Sequence, residues 1–466
     1  MITAKIDVTM AGLSYSSFLD AKTQVGSEYG FDPVWMPDCL FPFQVSMVEW
    51  ACRKGRAAIF ADCGLGKTPM QLTWAENVAR NTNGRVLILT PLAVAFQTVN
   101  EGAKFGIEVT HRRDGLHTGD RIVVTNYERL HHFSPDDFSG VVCDESSILK
   151  NFDGQTRKAI TDFMRKRPYR LLCTATAAPN DYIELGTSSE AIGDMGAQDM
   201  MNKFFKKVEN TTSARQEHMS GFFRLRPHAE HDFWRWVCSW ARAMRKPSDL
   251  GFDDGSFRLP PLNVRQHVVS AKRPMNGYLF DLPAVGLAEQ RSDLRRTIEE
   301  RCSMAADLCN AHDKPAVAWC NLNEEGSRLE REIRGAVEVS GNDSEWHKEE
   351  TFSAFVRGDV RVLVTKPVIG GFGLNLQHCA HQTFFPSHSY EQYYQSVRRC
   401  WRFGQRNAVT VDMVTTDGQE NVLANLQRKA DAADVMFDNL VSMMRNELKI
   451  QRRNDYTNKE ESPSWL

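Results

Sequence analysis

The sequence predicts an α/β protein made of two doubly wound parallel-sheet domains in tandem, with an inserted, mostly helical linker region between them. Three observations carry that expectation. At 466 residues the chain exceeds what one hydrophobic core ordinarily serves. From Arg56 to Thr176, short aliphatic runs alternate with longer polar-apolar stretches, the pattern of repeated βαβ units around a parallel sheet. The same alternation returns after Lys314.

Taken in order, residues 1–185 hold an N-terminal extension and the first domain. Its strands are expected at Ala57–Ala61, Arg85–Thr90, Ile122–Thr125, Val141–Asp144 and Leu171–Thr174. Runs such as VLILT and IVVT are apolar on both faces, as a strand covered by helices on both sides requires. Residues 186–313 form the inserted region, where periodicity weakens around turn signals such as KPSDLGFDDG and LPPL. The second domain, 314–450, has strands expected at Ala316–Cys320, Val337–Val339, Val360–Thr365, Thr383–Phe385 and Val409–Val414. Within it, Asn421–Leu448 places Val422, Leu426, Val435, Leu440 and Met444 at helical spacing, a core-packing stripe. Residues 451–466 read as a polar tail without an apolar face.

Composition narrows the function classes. Apolar residues at 42% and charged residues at 25% fit a globular protein and exclude a wholly disordered chain. A net charge of −2 leaves no global basic excess, so a polyanion would have to bind in a local groove. The 11 cysteines are scattered without a CxxC pair or zinc-like spacing, which fits reduced thiols in a cytoplasm. Lys5 and Asp7 interrupt the stretch where an export signal would be apolar, and the most apolar window, Val86–Phe96, contains Pro91 and is too short to span a bilayer. A soluble cytoplasmic protein without membrane association is expected.

The densest chemical signal is AIFADCGLGKTPM, a strand running into a glycine-bearing loop and then a helix. Gly64, Leu65 and Gly66 would present backbone N–H groups to phosphates, and the helix N-terminus adds positive potential. Lys67 would meet the outer phosphates of a nucleotide, and the Thr68 hydroxyl would ligate Mg2+. Pro69 is tolerated in a first helical turn. Ala61 stands where the general phosphate loop has glycine. In VVCDESSILKN, Asp144 and Glu145 close an apolar strand at the edge where open α/β sheets bind ligands. Asp144 would hold the metal, and Glu145 would orient and deprotonate an attacking water.

GLGKT, DESSILKN, CTATAAPND, GGFGLNL and QSVRRCWRFGQ follow one another in the order typical of superfamily-2 helicases and translocases. Over about Leu40 to Val414 the chain resembles the Swi/Snf-like branch of that superfamily, most closely its phage-encoded members. The resemblance implies RecA-like domains, ATP and Mg2+ as cofactors, and ATP hydrolysis coupled to movement on nucleic acid, with DNA the expected track and RNA left open. It implies that Gln44, in LFPFQ, reads the adenine base, and that Thr174 and Thr176 couple hydrolysis to movement. It further implies that Arg399 and Arg402 reach the nucleotide from the second domain, with Gln395 and Gln405 flanking them and Gly373 at the nucleotide. A guanidinium delivered there would neutralise charge on the transferred phosphoryl group, worth roughly 10³ to 10⁵ in rate elsewhere. Two departures stand out: Ser147 occupies the place of the usual histidine in the second motif, and the stretch from Lys366 to Gly371 and Gly373 is longer than the common pattern.

For the track, the resemblance implies contacts at Thr90, Pro91, Asn126, Tyr127 and Lys366. The inserted region adds FFKKVEN, FFRLRP and WARAMRKPSDL. These residues could grip phosphates and stack bases, or Trp234, Trp236 and Trp240 could belong to a core with solvated charges around them. A monomer or loose assembly is expected, with room for a partner protein. Two rival functions stay open: a non-catalytic nucleic-acid-binding scaffold, and the motor subunit of a nuclease or restriction complex.

Overall fold

A computed structural model describes residues 29–446 apart from 92–93, 117–118, 151–153, 208–222, 271–291, 293 and 372–373. Helix α1, Pro42–Lys54, opens it with a proline in the first turn and ends on Gly55 at φ 70°. The first sheet draws on β1 Arg56–Ala61, β2 Val86–Thr90, β3 Thr110–His111, β4 Ile122–Asn126, β5 Gly140–Asp144 and β6 Tyr169–Thr174. Helix α2, Lys67–Thr82, connects β1 to β2. A short antiparallel pair, β7 Phe205–Lys207 and β8 Phe223–Leu225, stands apart from the sheets. Helix α3, Glu230–Trp240, leads into β9, Ala241–Met244, which pairs parallel with β1 as the sheet's edge. The seven-stranded order is β3-β4-β2-β5-β6-β1-β9.

The second sheet begins with β10, Leu262–Val269, followed by helix α4, Ile298–Asn310, and β11, Ala316–Trp319. Helix α5, Asn323–Glu332, precedes β12, Ala336–Val339, and β13 and β14 occupy Val362–Thr365 and His381–Phe384. Helix α6, Tyr390–Cys400, leads to β15, Val409–Thr416, and the described chain ends in helix α7, Glu420–Asn446. The order β10-β15-β14-β11-β13-β12 is parallel throughout. The expected tandem doubly wound α/β architecture is therefore present, with all ten expected strands. Strands β2, β4 and β5 are buried along their whole length, as their two-faced apolar runs demand.

The segment 186–313 does more than link. It supplies β9 to the first sheet and β10 and α4 to the second domain. Its tryptophans are core: Trp234, Trp236 and Trp240 are 2%, 3% and 0% exposed, which corrects the base-stacking alternative for these rings. Phe204, Phe233 and Trp236 pack ring against ring with centroids 5.5 to 5.8 Å apart. In α7, Val422, Leu426, Leu440 and Met444 are buried as expected, but Val435 faces solvent. Among the described residues no helix is long and apolar enough to cross a membrane.

Candidate nucleotide site between the two domains

The β1–α2 turn takes its shape from two glycines in the left-handed region, Gly64 at φ 88° and Gly66 at φ 77°. A Cβ on Gly66 would lie 2.2 Å from Gln44 Nε2, so a larger residue there would have to displace that amide. Gln44 braces the loop, donating from Nε2 to Leu65 O at 3.0 Å and accepting from Phe41 N at 3.0 Å through Oε1. Its amide is thus spent on protein backbone in this structure. Lys67 Nζ donates to Ala61 O at 3.0 Å across the mouth of the loop.

Beside the loop, β5 ends on the two acids. Asp144 Oδ1 accepts from Gln71 Nε2 at 2.6 Å, and the Asp144 carbonyl accepts from the Tyr127 hydroxyl. Burial, and then the charge of Glu145 next to it, push the Asp144 carboxyl up to about 6. An acid whose charge is disfavoured in this way gains from a nearby divalent cation, so the Asp144 carboxyl suits a nucleotide-bound metal. Glu145 has φ 52°, one of two non-glycine residues with positive φ among the described residues. That backbone turns its carboxylate towards Thr174, whose Oγ1 donates to Glu145 Oε2 at 3.4 Å. Thr176 N in turn donates to Thr174 Oγ1 at 3.0 Å.

From the opposite side α6 delivers Gln395 and Arg399, one helical turn apart on a single face. Gln395 Nε2 donates to Glu145 Oε2 at 3.3 Å and to Thr176 Oγ1 at 3.5 Å. Arg399 Nη2 donates to Gln395 Oε1 at 2.6 Å and lies 3.9 Å from Glu145 Oε1. Arg402 donates to a carbonyl, Leu374 O at 3.3 Å, rather than to a carboxylate. Burial and the neighbouring Arg399 lower its guanidinium to about 10. Arg399 is thus a buried cation beside Glu145 and Arg402 a half-buried one beside Gly64, settings in which a cation gains from an incoming anion.

Lys67, Asp144, Glu145, Gln395, Arg399 and Arg402, predicted from separate motifs, thus come together in one interdomain cleft. Gln405 does not reach it: its amide serves Gln377 O, Cys379 O and the backbone of Arg406 and Asn407. Gly373 lies outside the described residues. Thr90 and Asn126 stand side by side at the ends of β2 and β4 but are 0% and 3% exposed. Both side chains face the interior of the fold, with Thr90 Oγ1 3.5 Å from Thr125 O. Tyr127 is likewise buried, with its hydroxyl on Asp144. Pro91 is half-buried, and Lys366 Nζ donates to Asn323 Oδ1 at 2.6 Å.

Sequence reasoning missed Gln71, Asp62, Tyr394, Arg398 and the Lys150–Glu391 ion pair. The signal available for the last three α6 residues was spacing. Glu391, Gln395 and Arg399 share one stripe of the helix, and Tyr394 with Arg398 form the adjacent one.

No family model matches this chain, and no curated protein matches it. Among solved structures, the chain is similar to "Sulfolobus solfataricus SWI2/SNF2 ATPase core in complex with dsDNA", at 16% identity over 90% of this chain and 97% of that one, with a TM-score of 0.39. A likeness that low transfers no residue roles from one chain to the other.

Proposed function

We propose that this protein is an ATP-driven motor of the superfamily-2 type, in the Swi/Snf-like branch near its phage-encoded members, and that it hydrolyses ATP to translocate on DNA. The observation that carries the reading is the meeting of Thr174, Gln395 and Arg399 from two domains at the single carboxylate of Glu145. The motif order in the sequence supports the same class.

In the proposed cycle, Lys67 and the N–H groups around Gly64 and Gly66 hold the ATP phosphates. A magnesium ion held by Thr68 and Asp144 would neutralise charge on the terminal phosphates. Glu145 orients the attacking water and takes its proton, while Arg399 and Arg402 offset charge on the transferred phosphoryl group. Because Gln395 spans Glu145 and Thr176, a change at the reacting phosphate is felt directly by the second domain.

The test is ATP turnover with no polymer, single-stranded DNA, duplex DNA or RNA, with Lys67→Ala as background. Strong stimulation by DNA, lost in Lys67→Ala, is the expected result. Wild-type turnover equal to that of Lys67→Ala with every polymer would favour a non-catalytic scaffold. Stimulation by RNA alone would keep the motor and change its track.

A further inference from the structure

The most deeply buried cross-domain ion pair at the cleft joins two residues that the proposed chemistry does not use. Arg398 on α6 is 4% exposed in its side chain, and Asp62 in the phosphate-binding loop is 9% exposed. The Arg398 guanidinium donates through Nη2 to Asp62 Oδ2 and to Cys63 O, the latter at 2.9 Å. The Tyr394 hydroxyl donates to the other Asp62 oxygen, which also accepts from Cys63 N at 2.6 Å. Both oxygens of this carboxylate are therefore committed, and two of their donors come from the second domain.

A buried ion pair loses in desolvation much of what it gains in attraction, so net stability alone is a weak reason for one here. The Nε of Arg398 is buried without a hydrogen-bond partner, which makes the arrangement poorer still as a purely structural contact. Geometry supplies a better reason. Asp62 touches Arg398, Cys63 Sγ lies 3.6 Å from Gln395 Oε1, and a Cβ on Gly64 would meet Phe403 N at 2.8 Å. Three consecutive loop residues thus rest on three points of the second domain. Tyr394 and Arg398 flank the stripe that carries Gln395 and Arg399 to Glu145.

We propose that Arg398 is a positioning residue: by pairing with Asp62 it fixes α6 in register on the phosphate-binding loop, and so sets Gln395 and Arg399 against Glu145. The inference rests on the ATPase reading for its consequence and on the interdomain contacts for its geometry. A movement of the loop around bound phosphates is transmitted to α6 through this pair. The Arg398 guanidinium is committed to Asp62 and the Cys63 carbonyl, so its loss affects how fast the closed site reacts more than how well nucleotide binds.

The experiment uses the full chain with Arg398→Gln, Arg398→Lys, Asp62→Asn and the Asp62→Asn/Arg398→Gln double variant. Two readouts are taken: steady-state ATPase kinetics with the stimulating polymer, and backbone hydrogen exchange over 62–66 and 390–400. In Arg398→Gln, kcat is expected to fall about tenfold or more while KM moves by less than about threefold. Arg398→Lys restores part of the loss. The double variant is no slower than the worse single one, since both remove the same contact. Exchange in both segments accelerates about tenfold in Arg398→Gln. Should that variant misfold around an unpaired Asp62, the neutral double variant carries the test. A kcat for Arg398→Gln within about twofold of wild type, or losses that multiply in the double variant, would overturn the proposal. If the wild type hydrolyses no ATP with any polymer, the motor reading fails. Exchange then decides the pairing role by itself, and unchanged exchange overturns it.

Discussion

A methyl group added at Gly64 would lie 2.8 Å from the backbone nitrogen of Phe403, and one at Gly66 would lie 2.2 Å from the amide nitrogen of Gln44. The second obstacle is the end of a side chain and can swing away; the first is backbone of the other domain and cannot. Each alanine also bears roughly 1–2 kcal/mol for a left-handed conformation. Gly64→Ala should therefore depress turnover more than Gly66→Ala, by tenfold or more, by propping the cleft open. Parallel kinetics and thermal melts of the two variants check the order, and equal losses would refute it. A second residue-scale prediction concerns acid. His312 Nε2 lies 2.9 Å from His381 Nδ1, His381 Nε2 lies 2.8 Å from Asp412 Oδ2, and His267 Nε2 lies 2.8 Å from Asp412 Oδ1. Burial, then the neighbouring His381, hold His312 below its ordinary 6.5. Burial opposes ionisation of Asp412, but hydrogen bonds from His267 and His381 outweigh it and hold that carboxyl below its ordinary 3.8. In both cases the unfolded chain binds the proton more readily, so stability is complete above the ordinary value and is lost as pH falls. The melting temperature should decline below about pH 6.5 for His312 and again below about pH 4 for Asp412. His312→Gln should flatten the first decline and leave the second; a pH profile identical to wild type would refute the assignment.

At the scale of elements, the same physics decides what is stable and what could be read in advance. Helices α4 and α5 are joined by Arg301 and Glu325, both 0% exposed and 2.6 Å apart at Nη1 and Oε1. Arg301 also donates to Thr297 Oγ1 at 3.1 Å and lies over the Phe385 ring at 4.8 Å, while Glu325 Oε2 accepts from Asn321 N and Leu322 N. Removing one partner strands a buried charge, so Glu325→Ala should cost about 3–5 kcal/mol. Urea denaturation should show it, and a loss below about 1 kcal/mol would mean that water reaches Arg301. Nothing in the sequence pairs residues 301 and 325, because charges announce themselves but partners do not. Nine of the ten expected strands are largely buried, which favours apolar runs, and the tenth, β12, is a half-buried edge legible through Val337 and Val339. Strands β9 and β10 were not legible: ARAM and LNVRQHVV lie at sheet edges, where polar residues such as Arg242 and Arg265 are allowed. The site divides in the same way. Lys67, Asp144 and Glu145 could be singled out because each sits at a strand end or helix start within one short motif, whereas the Asp62–Arg398 pair spans 336 residues and only the folded chain reveals it.

At the scale of the whole molecule, α7 ties the two domains together. Its first half buries Leu426 in the core of the second domain, and its second half buries Met436, Phe437, Leu440, Val441 and Met444 in the core of the first. Polar contacts follow the same path. Tyr182 OH donates to Ala432 O at 3.2 Å, Lys429 Nζ donates to Asn180 Oδ1 at 2.9 Å, and Arg245 pairs with Asp434 and Asp438. The two effects differ in size. Asp434 and Asp438 are 69% and 66% exposed in their side chains, so each pair is worth about 0–1 kcal/mol. Leu440 is 1% exposed, and its truncation to alanine should cost about 2–5 kcal/mol. The apolar half-helix, not the ion pairs, therefore couples the domains, while α6 sets their register at the cleft. Calorimetry separates the two contributions. Arg245→Gln should leave a single unfolding transition with its midpoint shifted by a degree or two at most, roughly what a pair of exposed ion pairs can supply in a chain of this size. The Met436→Ala/Leu440→Ala variant should split that transition in two, the second domain melting near its original temperature and the first well below it. If the double variant merely moved one intact transition downward, the cleft contacts of α6 with the β1–α2 loop and Glu145 would be the dominant coupling, and α7 an accessory to them.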